Sequence, residues 1–222
     1  MKILSLSYFA EIWPHSYPEF LILKSLNQKY NFEIDYLNCD YFFESCMVHD
    51  SRQKSFSDKN TKNKICKLCV NTKKQYLKNS NLKNLTINEY ISNSDLSEIK
   101  IIIEKLDKDN FINTKVFGIE IVRYTLFNYF ISQKKSDLVF SDKEFEKFKI
   151  RINDTLKSLY AFKKIIENNK YDYLIAFSTE YSLNRACAEL ASNYGIKVLS
   201  MANGKHTQSK FKFLRISEGL DH

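Results

Sequence analysis

Residues 173–201 read YLIAFSTEYSLNRACAELASNYGIKVLSM. Tyr173–Phe177 is an unbroken apolar run, as in a strand covered on both faces of a sheet. Ser178, Thr179 and Glu180 make the turn, and either hydroxyl is placed to cap the helix that follows. Leu183, Ala186, Cys187, Leu190, Ala191 and Tyr194 then recur at helical spacing, and Gly195 stands where a helix ends. Ile196–Met201 is a second apolar strand, followed by Ala202, Asn203 and Gly204. A strand, a helix and a strand in this compass predict a βαβ unit, and with it a parallel sheet.

The other end of the chain repeats the logic. Lys2–Tyr8 is a short apolar run, and a connection holding Pro14 and Pro18 follows. Glu19–Lys29 carries Phe20, Leu21, Leu23 and Leu26 at helical spacing, and Phe32–Leu37 alternates as a strand does. Between the two units, Leu85–Leu106, Phe111–Ile131 and Lys143–Asn169 read as helices. The last is the clearest, with Phe145, Phe148, Ile152, Leu156, Leu159 and Ile166 on one stripe. The reading is one α/β domain over residues 1–222: a Rossmann-like parallel sheet flanked by helices. Residues 38–84 form a cysteine-containing basic insertion, too long for a plain loop.

Composition narrows the classes. The 222 residues are 44% apolar, with 17 Phe and 14 Tyr, which excludes a disordered chain. Four glycines and two prolines exclude collagen-like and low-complexity classes and leave little material for glycine-rich phosphate loops. The net charge of +8 is local. Ser51–Asn84 holds ten basic residues (Arg52 and nine lysines) against one acid, Asp58, while the rest of the chain has 24 basic and 25 acidic residues. Such a segment can grip phosphates of a nucleic acid or an anionic lipid surface. Its only aromatics are Phe56 and Tyr76, too few to stack bases, so nucleic acid is disfavoured as a partner. No apolar run approaches the roughly 20 residues of a membrane span. The start, MKILSLSYFAEIW, has a short apolar stretch, an early Glu11 and no small-residue cleavage site, and reads as a buried strand rather than an export signal. The expected location is the cytoplasm, with a peripheral position at the inner membrane surface compatible with the basic segment.

Cys39, Cys46, Cys66 and Cys69 have the spacing C-x6-C-x19-C-x2-C. Two thiolates two residues apart can grip one tetrahedral metal, and a second pair would close a structural zinc site that fastens the insertion. A redox pair, an iron–sulfur cluster using the same ligands, and unconnected cysteines are the alternatives. His49 lies near enough to Cys46 to replace a ligand. Cys187, on an apolar helical stripe, reads as a small buried residue.

In an open parallel sheet, ligands bind at the carboxyl ends of the strands. His15 and Glu180 are the candidate catalytic groups there, as proton acceptors or donors. Ser178, Thr179, Asn184, Arg185, Gly204 and His206 are the candidate binding residues. Asn184 and Arg185 lie off the apolar stripe of their helix and are expected to be free. The alternatives are a solvated loop for His15, a Glu180 that merely favours the helix N-terminus, and a solvated Arg185.

Several stretches resemble glycosyltransferases from surface- and capsular-polysaccharide clusters. They are the N-terminal strand–helix–strand with Cys39-Asp40, Cys46 and Cys66-x2-Cys69; Phe117-Gly118-Ile119-Glu120; and Ala176–Glu180 running into Arg185, Gly195-Ile196 and Asn203-Gly204. The resemblance implies a GT-B plan of two Rossmann-like domains with a cleft between them. In that plan the C-terminal domain holds most of the sugar-nucleotide site, and this chain ends about where the first domain would. It implies an acceptor-side half that takes a carbohydrate or lipid-linked acceptor. A separate or missing donor domain would supply the sugar nucleotide. A metal-stabilised nucleic-acid-binding module and an inactive scaffold are the other readings.

Overall fold

The computed structural model describes residues 1–51, 59–135, 137–203 and 214–220. One six-stranded sheet runs through it in the order β3-β2-β1-β4-β5-β6. β1 (Lys2–Leu6) pairs in parallel with β2 (Glu33–Asn38) on one side, Ile3 opposite Ile34, and with β4 (Tyr173–Phe177) on the other. β3 (Lys83–Thr86) and β5 (Lys197–Asn203) extend the parallel set, and β6 (Leu214–Glu218) closes the far edge antiparallel to β5. The Rossmann-like α/β reading is therefore observed, and its strand order reverses between β1 and β4.

The period of two along the strands decides which helices lie where. Ile3, Ile34, Tyr36, Ile175 and Phe177 point to the face covered by α1 (Trp13–Tyr30), packing with Phe20 and Leu23. Leu4, Leu6, Leu37, Leu174 and Ala176 point to the other face. There α6 (Asp142–Asn168) and α7 (Ser182–Asn193) build the larger core, with Phe148, Ile152, Leu156 and Leu159 inaccessible to solvent. Ser141 and Glu144 form a capping box that starts α6. Gly195, at φ +74°, takes the left-handed conformation expected after α7.

Four expectations change. α1 begins at Trp13 rather than Glu19, so His15 and Pro18 lie inside it. Pro14 sits in the first turn, where a missing N–H costs nothing, and the Ile12 carbonyl accepts from His15 and Ser16. Residues 38–84 are not a bare insertion. They carry α2 (Met47–Ser51) and α3 (Lys59–Leu77) and deliver the edge strand β3, so the segment is a crossover of the sheet itself. The stretch read as one helix from Leu85 begins in β3, passes a 3-10 turn at Ile87–Tyr90 and becomes helical as α4 (Asn93–Glu104). Similarly, the helix expected from Phe111 forms as α5 only over Ile121–Gln133, because Phe117 and Gly118 both have positive φ and break the run.

Candidate functional site at the carboxyl edge

The β1–α1 and β4–α7 connections lie at the carboxyl edge, where the strand order reverses, the place at which open parallel sheets bind ligands. His15, in the first turn of α1, lies flat on Phe177, the last residue of β4, with ring centroids 4.1 Å apart and an angle of 12°. Tyr181 flanks it at 6.0 Å. Burial lowers the His15 pKa to about 4, so the imidazole is neutral near pH 7, and its Nδ1 is buried with no hydrogen-bond partner among the described residues. Trp13 and Tyr17, one turn apart and both exposed, stack on each other at 5.9 Å and 11° beside this edge.

Ser178 stands in the left-handed region at φ +55°, an uncommon place for a residue with a Cβ. Its hydroxyl accepts the Glu180 N–H at 3.3 Å, which leaves the Glu180 side chain exposed to solvent. Thr179 is wholly buried and reaches Ser200 on β5. Neither hydroxyl caps α7. That task falls to Asn128 of α5, whose Oδ1 accepts the Ser182 N–H at 3.3 Å while its Nδ2 donates to Ser182 Oγ at 2.9 Å.

Asn184 and Arg185 are not free as expected. Asn184 is 1% exposed, and its amide donates to the carbonyls of Phe177 and Ser178 at 2.8 and 3.1 Å. It holds the turn in shape rather than facing a ligand. Arg185 lies over the Tyr124 ring and 3.9 Å from Glu189 of its own helix. Gly204 and His206 lie outside the described residues. His15, Ser178, Thr179 and Glu180 are thus brought to one edge.

The sequence reading missed the polar group beneath this edge. Glu19 of α1 is 3% exposed and accepts hydrogen bonds from Ser5, at 2.5 Å, and Ser7. Burial raises its pKa to about 7, against the two serine hydrogen bonds, which favour the charged form. Its signal is present in the sequence: Ser5 and Ser7 interrupt a strand that should otherwise be apolar, and they share the face that α1 covers.

The same edge continues over β2 and β3 into a groove of about 860 Å³ whose lining includes Asp40, Lys67, Lys73, Lys74, Lys78 and Thr86. Lys73 is buried and donates to Asn38 Oδ1 at the end of β2, and burial pulls its pKa down. α3 ties this groove to the start of α1: Thr72 donates to Glu11, Tyr76 OH lies 3.2 Å from Ser16 Oγ, and the Tyr76 ring stacks on Phe20 at 4.8 Å.

Cys39, Cys46, Cys66 and Cys69, none of them in a disulfide, line one small cavity of about 20 Å³ together with His49, Tyr8 and Ile65. His49 Nε2 is 3.7 Å from Cys66 Sγ. Burial pushes the Cys39 thiol up to about 12 and Cys46 well above its ordinary value. Among the described residues no set of three or more His, Cys, Asp or Glu side chains is arranged to hold a metal ion as it stands. Cys187 is buried beside Ser158 Oγ at 3.4 Å, in the core where the helical stripe put it.

No helix among the described residues is long and apolar enough to cross a membrane. No protein-family model matches the chain, and no curated protein matches it. A solved structure described as a CDPS from Fluoribacter dumoffii is similar in fold, with a TM-score of 0.54 at 11% identity. The match covers 98% of this chain and 90% of that one. At this identity the likeness is one of fold alone.

Proposed function

We propose that the chain is the acceptor-side half of a glycosyltransferase-like protein of surface-polysaccharide synthesis, binding a lipid-linked, diphosphate-bearing saccharide along the carboxyl edge of its sheet. The observation that carries this reading is that the start of α1, the turn after β4 and the lysine groove lie on one edge of the sheet. Trp13 and Tyr17 offer flat faces on which the C–H face of a sugar ring packs. Glu180 is exposed to accept a hydroxyl proton, and neutral His15, in the first turn of α1, lies on the same edge. Lys67, Lys74 and Lys78 offer the positive charge that a diphosphate requires. With four glycines in 222 residues, the sequence holds little material for a glycine-rich loop to cradle a nucleotide.

The test is calorimetric titration of the whole chain with a prenyl diphosphate-linked disaccharide and, separately, with a panel of sugar nucleotides. Binding of the first and silence toward the second is the expected result. A second reading, stand-alone catalysis, is favoured by one observation: the fold spans 90% of a CDPS, a cyclodipeptide synthase, so a similar fold is known in a synthase. Turnover of a small-molecule substrate by this chain alone would establish that reading and remove the first.

A further inference from the structure

The sulfur cluster lies at the carboxyl end of β2, next to the lysine groove, with which its cavity shares Tyr41 and Val70. Cys39 follows β2, Cys46 precedes α2, and Cys66 and Cys69 are spaced i, i+3 on α3. Three separate pieces of chain therefore bring four of the five cysteines to one small cavity. Cores normally fill such a space with hydrocarbon, and the surrounding Tyr8, Phe43, Val48 and Ile65 show that hydrocarbon was to hand.

Two features suit sulfurs that carry negative charge. The backbone N–H of Phe42 donates to Cys39 Sγ at 3.3 Å. Amide donors aimed at a sulfur favour the thiolate form that metals bind. Buried Lys73 also lies near Cys39 and Cys69, and Lys62 near Cys66, with Asp40 the acid facing both groups.

We propose that Cys39, Cys46, Cys66 and Cys69 form a structural tetrathiolate zinc site that clamps the β2–α2 turn to α3, with His49 hydrogen-bonded to the Cys66 sulfur. Closing the site takes inward rotation of the thiol side chains about the cavity they already share, to sulfur–metal distances of about 2.3 Å. Each bound thiol releases its proton to solvent, the four Zn–S bonds replace four S–H bonds, and no electron is transferred. A tetrathiolate centre carries a net charge of about −2, which Lys62 and Lys73 offset.

The experiment is metal analysis of the whole chain purified under reducing conditions, with cobalt substitution as the deciding arm because a ligand variant can fail to fold. About one zinc per chain is expected, along with the visible bands of tetrahedral cobalt thiolate on exchange. Cys66→Ser and Cys69→Ser should retain less than about a tenth of that zinc, and Cys187→Ala should retain all of it. A chain that folds with no bound zinc and gives no cobalt thiolate bands overturns the site. So does iron accompanied by inorganic sulfide, or a disulfide among the four.

Discussion

Glu19 is the residue whose behaviour the structure changes most. Its carboxyl keeps its proton in the folded protein up to about pH 7, whereas in the unfolded chain it ionises near its ordinary value. Between those two values the unfolded state releases a proton that the folded state retains, so folding stability falls as pH rises through the window. The full effect is on the order of 3 kcal/mol. Asp154, 1% exposed and likewise raised to about 7 by burial, acts in the same sense. Urea midpoints for Glu19→Gln at roughly pH 5 and pH 8 should differ by less than those of the parent, with Asp154 supplying the remaining slope. An unchanged slope would show that Glu19 does not hold its proton. At this scale the sequence was legible for His15 and Glu180, which a βαβ unit must place at a carboxyl edge. It was not legible for Asn184, because spacing off an apolar stripe does not reveal that two backbone carbonyls in the preceding turn need a donor.

At the scale of elements, the central strands were legible and the edge strands were not. β1, β2, β4 and β5 are largely buried; β1 and β4 are written mostly in apolar residues, and β2 alternates. β3 reads KNLT and exposes its first two side chains, and β6 reads LRISE, so neither carries the apolar run that marks a covered strand. The crossover that delivers β3 is held to the body by a buried ion pair that no local pattern announces. Arg151 of α6 donates to both oxygens of Asp50 in α2, at 2.8 and 3.0 Å, and the Ser45 N–H donates to Asp154 at 2.5 Å. Removing one member strands a charge that is about nine-tenths buried. Arg151→Ala is expected to cost roughly 3 kcal/mol, read as a lower urea midpoint. A loss below about 1 kcal/mol would mean the pair behaves as a surface bridge. Trp13→Ala, by contrast, removes a mostly exposed ring from α1. It should leave stability within about 1 kcal/mol of the parent while weakening acceptor binding in the same calorimetric titration.

At the scale of the molecule, the parallel sheet places the aromatic pair, the His15–Phe177 stack, the exposed Glu180 and the lysine groove on one edge. The opposite, amino-terminal edge holds a smaller hollow of about 290 Å³ lined by residues that include Lys2, Asn31, Glu33, Asp35 and Lys83, three of them basic or acidic side chains at strand starts. An open sheet of this order binds its ligand at the carboxyl side, and the account depends on that polarity. The most direct measurement is a titration of the isotopically labelled whole chain with the prenyl diphosphate-linked disaccharide, followed by amide and indole NMR shifts. The account predicts shifts at Trp13, His15, Glu180 and the α3 lysines, with the amino-terminal edge unmoved. Shifts gathered around Asn31, Glu33 and Lys83, or none at saturating ligand, would contradict it.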